Sequence, residues 1–177
     1  MQGIILKKQI IKKSVLLILM LFSSYFFICA IIVPVAAHYG MYELAGKLDG
    51  IFLEACHRQP LRSFWIFGYP VSLCCRCLGF YFAVSIFTLC LLINKLKNNI
   101  IIFGILTIAA ISDIVINLFF NINTSDFQRF FAGICLGYTA VSIIQFIFKK
   151  GEENEKDFSR STYADDCRYD RKRVICK

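Results

Sequence analysis

Polar and apolar positions along this chain fall in long blocks rather than in the alternation of a soluble fold. Residues 14–37, 71–93, 99–120 and 128–148 are each apolar for about 20 residues, enough to cross a hydrocarbon core of roughly 30 Å, and none holds more than one charge. The pattern predicts an all-α membrane protein, a four-transmembrane-helix bundle over residues 1–150. Between the first two spans, residues 41–55 carry Leu44, Leu48, Ile51, Phe52 and Ala55 at helical spacing with Glu43, Lys47, Asp49 and Glu54 elsewhere. That predicts an interfacial segment, a helix lying at the membrane surface or packed over the bundle mouth. Pro60 and Pro70 then punctuate the chain, and Phe64, Trp65, Phe67 and Tyr69 form an aromatic band expected at headgroup level. Gly133-x-x-x-Gly137 in the last span lets another helix approach closely, and packing within the chain is the expected use. Residues 151–177 mix charges of both signs and read as a disordered cytoplasmic tail.

Charge adds orientation to this picture. The 177 residues are 58% hydrophobic with a net charge of +8. Lys7, Lys8, Lys12 and Lys13 precede the first span, Lys95 and Lys97 lie between the second and third, and Lys149 and Lys150 follow the fourth. These positions share one side of the membrane if the chain crosses four times, so the positive-inside rule places both termini in the cytoplasm. A cleavable signal ending at Val35-Ala36-Ala37 would leave the loop that follows on the same, outer side. No basic stripe interleaved with aromatics occurs, which excludes nucleic acid as a partner. Membrane lipid is the expected surrounding; nothing in the sequence fixes an oligomeric state.

The chemistry-bearing residues all fall on the predicted extracytoplasmic face. Cys56-His57 closes the interfacial segment and Cys74-Cys75-Arg76-Cys77 opens the second span. Cys74 and Cys77, at i and i+3, share a helical face in a first turn, where the helix dipole and Arg76 are expected to lower thiol pKa values. Two chemistries fit. Cys56, His57, Cys74 and Cys77 offer four borderline-soft donors, a tetrahedral set suited to zinc. Alternatively, Cys74 and Cys77 form a redox-active disulfide, with Cys56 as a third thiol and a quinone as the electron acceptor such chemistry would need. A static disulfide, for example Cys56 with Cys74, in a non-catalytic scaffold is the plainer option. Cys29, Cys90 and Cys135 stand alone in apolar spans and read as small packing residues; Cys167 and Cys176 lie in the tail.

A polar pocket is expected beside the cysteines, made of Arg62, Ser63, Arg76, Asp113, Asn117 and Arg129. Asp113 and Cys77 each lie about seven residues from the outer end of their spans, so both sit about 10 Å deep at 1.5 Å per residue. An intramembrane carboxylate is costly unless it is paired or lines a wet cavity; Arg76 and Arg129 are the partners in reach. The cytoplasmic flanks use lysine whereas the outer side uses Arg58, Arg62, Arg76 and Arg129, whose planar forks suit carboxylate or phosphate. An anionic lipid or small molecule is the ligand this implies.

At these residues the chain resembles a family of small prokaryotic integral membrane proteins of unknown function. The family pattern Cys-His-x-x-Pro-x-Arg-Ser-Phe appears from Cys56 to Phe64, and Cys-x-Arg-Cys-x-Gly-x-Tyr from Cys74 to Tyr81. Asp113, and Asp126 with Arg129 and Gly133, echo a looser part of it, with Asp126 where the family has Asn and Cys75 where it usually has Ala. The resemblance covers residues 56–137 and implies no particular activity. Four spans with Cys-x-x-Cys opening the second are also similar in architecture to bacterial quinone-linked disulfide-forming enzymes, but the second outer loop here lacks their further cysteine pair.

Overall fold

A computed structural model describes the backbone of all residues except 1, 53–55, 57–59, 94–99, 121–123 and 175–177, and side chains except those and 2–8, 100, 101, 103, 117, 118, 120 and 152–174. The described chain is mostly helical: α1 (Gln2–His38), α2 (Tyr42–Ile51), a 3-10 turn (Pro60–Arg62), a small hairpin of β1 (Trp65–Ile66) and β2 (Tyr69–Pro70), then α3 (Cys75–Leu92), α4 (Ile100–Phe120) and α5 (Asp126–Val174). Two compact units result, Met1–Ser142 and Ile143–Lys177.

Three stretches, Gln9–His38, Cys75–Leu92 and Asp126–Gly151, are long and apolar enough to cross a membrane, and Gly104–Ile116 within α4 is a shorter apolar helix. Their outward faces are as apolar as their inward ones. Ile18, Phe22, Ile28 and Ile32 on α1 and Ile105, Ile108 and Ile111 on α4 are all exposed, the signature of helices whose solvent is lipid.

Residue pairings give the directions of the helices in the first unit. Phe26 stacks on Tyr81 with centroids 5.2 Å apart, and the Ser24 and Ser85 hydroxyls hydrogen-bond at 2.6 Å, so α3 runs antiparallel to α1. Gly79 meets the backbone at Phe130, Gly133 that at Arg76 and Phe80, and Gly137 that at Phe80 and Val84; the numbers rise together, so α3 and α5 run parallel. Arg76 reaches Asp113 while Thr107 meets Thr139 at 3.2 Å, which sets α4 antiparallel to both. The Gly133-x-x-x-Gly137 pair is therefore spent on packing within the chain: a Cβ on Gly137 would stand 2.6 Å from that of Ala83. Backbones approach this closely only where side chains are missing.

α1 ends in a Schellman motif. Gly40 takes φ +79°, Met41 N–H donates to Ala36 O at 2.9 Å and Gly40 N–H to Ala37 O at 3.1 Å, satisfying carbonyls the helix end leaves over. The chain then doubles back. Ala45 packs on Val33, Ala36 and Ala37, and Phe52 on Cys29 and Ala30, with its ring 5.6 Å from Phe26. α2 thus descends along α1 for about 15 Å, at 1.5 Å per residue, instead of lying across the mouth, because small residues on α1 leave it a groove. The aromatic run 64–69 forms a hairpin: Val71 N–H donates to Phe64 O at 2.8 Å, and Phe67 and Gly68 turn it with φ +52° and +82°. Two positive φ values suit the right-handed twist of a tight hairpin, and Phe67 takes one without being glycine. Phe64 points inward against Phe127 and Phe130.

One element boundary differs from expectation. The helix of the second span starts at Cys75, since Val71, Ser72 and Leu73 leave the hairpin as buried chain that bends at Ser72 and Leu73. α5 is helical to Val174, and the sequence from 151 to 174 holds no proline to stop it. At the other end of α5, Ser125 Oγ accepts from Gln128 N–H at 3.3 Å, the N-cap bond of a Ser-x-x-Gln start.

Candidate metal centre

Two segments deliver the sulfurs. Cys56 N–H donates to Phe52 O at 3.1 Å, so the buried Phe52 just beyond α2 anchors Cys56. Cys74 is the N-cap of α3, with φ −65° and ψ 155° and no side-chain cap bond, so its sulfur is left to face elsewhere. One turn on, Cys77 lies over it. Cys56, Cys74 and Cys77 bring their Sγ atoms within 4.8 Å of one another, all three as free thiols, and Cys74 N–H donates to Cys56 Sγ at 3.4 Å. Tetrahedral zinc with Zn–S near 2.3 Å needs sulfurs about 3.8 Å apart, a contraction within reach of side-chain rotation. Cys75 stands outside this group: fully buried, it is turned toward Asp126.

Lowered thiol pKa values were expected from the dipole and Arg76. Cys74, just ahead of the membrane-spanning helix, departs the other way: its pKa is raised, chiefly by the hydrogen bond with Cys56, with burial adding to it. Thiols packed against thiols hold their protons until a cation replaces them.

The remaining site residues divide. Arg76 Nη2 and Nε donate to Asp113 Oδ2 at 2.8 and 3.2 Å, so α3 and α4 are joined by an ion pair one residue from Cys77. Arg76 keeps 26% exposure and Asp113 only 9%. Arg129, buried, takes local partners instead: its Nε donates to Thr124 Oγ1 at 3.1 Å and Nη1 to Asp126 Oδ1 at 3.4 Å. Arg62 is exposed at the end of the 3-10 turn. Ser63 is buried and lines a cavity together with Asp49 and Ser72. His57 and the Asn117 side chain lie outside the described residues. Sequence reasoning passed over Thr124, which follows from Arg129 needing an acceptor near its own helix start. It also passed over Ser72, which no spacing rule marks.

Comparison with known proteins then bears on this face of the molecule. Residues 56–143 match the model of a family described as "Predicted membrane protein (DUF2085)". Over that segment, just under half of its length, the chain is similar to this family. The matched stretch begins at Cys56 and contains every sulfur of the cluster and both partners of the Arg76–Asp113 pair. The uncharacterised protein MJ1492 of Methanocaldococcus jannaschii is 37% identical over 60 residues, 31% of this chain. The alignment spans only 38% of that relative's length. No solved structure matches the chain.

Proposed function

We propose that this chain is a four-span membrane protein that holds a zinc ion at an extracytoplasmic Cys/His centre. The convergence of Cys56, Cys74 and Cys77 sulfurs within 4.8 Å carries the reading: two segments far apart in sequence bring three soft ligands together, and His57 is adjacent in sequence to supply the fourth. The alternating directions of α1, α3, α4 and α5 support four crossings, and the lysine-rich flanks support cytoplasmic termini. The centre then lies at the outer end of the span, in the first turn of α3. Beside it the partly exposed Arg76, paired with Asp113, offers a guanidinium to recognise an anionic lipid or small molecule.

Metal content and thiol accessibility of the detergent-purified protein test this. About one zinc per chain is expected, with Cys56, Cys74 and Cys77 protected from alkylation until a chelator is added. The competing reading, a thiol–disulfide oxidoreductase on Cys74 and Cys77 with a quinone as acceptor, draws on the same proximity. Absence of stoichiometric zinc, together with two thiols that appear only after reduction, would replace the metal centre with that chemistry.

A further inference from the structure

The hairpin carries an aromatic face turned away from the core. Phe64 and Ile66 pack against the buried cluster around Phe52, whereas Trp65 and Phe67, each one position on, are 58% and 62% exposed. That alternation is the two-residue period of extended chain. Phe67 is held outward under strain: φ +52° is left-handed, a conformation that glycine or asparagine takes readily and a bulky residue does not. Strain kept at an exposed position points to a use beyond folding. The Phe67 ring stacks on His38 at 4.6 Å, and His38 meets Tyr39 at 5.4 Å, so the face continues onto the corner between α1 and α2. Tyr39, Met41 and Tyr42 are exposed there.

Depth identifies what the face meets. The Phe26–Tyr81 stack sets those two residues level. Cys75 opens α3 six positions above Tyr81, and His38 closes α1 twelve positions above Phe26. His38 therefore stands about 9 Å further out than the start of α3, at 1.5 Å per residue. The 18 residues of α3 cover about 27 Å, close to the roughly 30 Å of hydrocarbon, and the headgroup layer adds about 5–8 Å on each side. His38, and the Phe67 ring stacked on it, fall in that layer, where tryptophan and tyrosine are enriched. Ile28 and Ile32, lower on α1, are exposed to the lipid, so the face continues an apolar surface already turned to the bilayer. The Trp65 indole N–H donates to Pro60 O at 3.2 Å, so the ring enters the layer with its donor satisfied. We infer that the outward face of the hairpin, Trp65 and Phe67 with Tyr39 and Tyr42 beside them, is seated in the phospholipid headgroup layer of the outer leaflet and anchors the loop that carries Cys56. Two of the four aromatics in the run serve this end, since Phe64 is turned inward and Tyr69 packs beside Val33 and Ala37. The inference rests on the membrane reading of α1 and α3 and is independent of the metal.

Trp65 is the chain's single tryptophan, so its fluorescence reports the hairpin alone. In phosphatidylcholine nanodiscs holding the full chain, lipid brominated high on the acyl chain should quench it about twofold more than lipid brominated near the chain end. Aqueous acrylamide should quench it about fivefold less than free tryptophan. Phe67→Asn keeps the turn, because asparagine accepts the left-handed conformation, and should raise acrylamide quenching of Trp65 about twofold. Phe22→Trp in a Trp65→Phe background moves the probe to the exposed middle of α1, where bromine near the chain end should quench it. Quenching there with none at Trp65 leaves the spans standing and overturns the anchor; no bromine quenching at either position removes the membrane reading and the anchor with it. Trp65 as open to acrylamide as free tryptophan puts the face in water. Trp65 shielded from bromine and acrylamide alike puts it under a second copy or a partner protein. Either result overturns the proposal, as does a Phe67→Asn variant whose Trp65 quenches like the wild type's.

Discussion

Gly133→Ala is the sharpest perturbation of the scaffold under the cysteine cluster. A Cβ at Gly133 would press on the carbonyl oxygen of Arg76 and stand 2.9 Å from its carbon and 3.0 Å from Phe80 N. These are backbone atoms inside α3 and cannot rotate away. Ordinary non-bonded separations are about 3.5–4.0 Å, so α3 and α5 must part by at least about half an ångström along their contact. Overpacking of this kind costs about 1–3 kcal/mol, and the rigidity of both partners points to the upper part of that range. Alanine's better helix propensity returns about 1 kcal/mol. A net loss of about 1–2 kcal/mol follows. Gly104→Ala is the control, since nothing lies within 4 Å of its added methyl, and it should be neutral or stabilising by up to about 1 kcal/mol.

The two variants should be compared by reversible unfolding in mixed micelles and by zinc titration. Arg76 is the residue pushed, and Cys77 follows it, so separation of the helices also displaces Cys77 relative to Cys56. Loss of such supporting geometry typically lowers metal affinity about 10–100-fold. If Gly133→Ala unfolds at or above the wild-type midpoint, the close α3–α5 crossing is wrong. If it is destabilised but binds zinc unchanged, the proposed link between that crossing and the cluster fails.

Asp113→Asn should destabilise by about 2–3 kcal/mol, below the full cost of breaking a buried pair, because Arg76 at 26% exposure recovers some hydration. Arg76→Met with Asp113→Leu should restore most of it, and a double-mutant cycle measures the coupling. Thr88→Val should raise stability by about 1 kcal/mol in the same unfolding assay, since the Thr88 hydroxyl is fully buried with no hydrogen-bond partner among the described residues and valine keeps its shape.

What the sequence disclosed, and what it hid, follows the range of the forces involved. Apolar helices were legible because lipid imposes a length and forbids charge. The Cys56, Cys74 and Cys77 grouping was legible because soft donors on one membrane face have few other uses. The path of α2 was not: Leu44, Leu48 and Ile51 form an amphipathic stripe that fits a membrane surface and a groove equally well. The choice is made by Ala36, Ala37 and Ala45, whose smallness registers only when two helices are set side by side. The partner of Asp113 was open between two arginines of suitable depth. It is settled by Asp126 and Thr124, which occupy Arg129 locally and leave Arg76. The hairpin was hidden because Phe67 adopts a left-handed conformation that a bulky residue seldom takes.

The three cysteines also allow the competing chemistries to be separated by stability alone. Joining Cys56 to Cys74 closes a loop across 18 positions, and a cross-link of that span is worth about 3 kcal/mol through loop-closure entropy. A zinc ion and a static disulfide would both supply it, so the size of the cross-link's contribution is not by itself decisive. The pattern over substitutions is. A metal needs all three sulfurs at once, so Cys56→Ser, Cys74→Ser and Cys77→Ser should each lower stability by about the same amount, and Cys75→Ser should leave zinc content unchanged. A Cys56–Cys74 staple makes Cys77→Ser silent. A Cys74–Cys77 redox pair makes Cys56→Ser silent. Equal losses at all three positions, abolished when unfolding is measured in excess chelator, are the outcome that only a shared ion explains, and a silent position among the three would refute it.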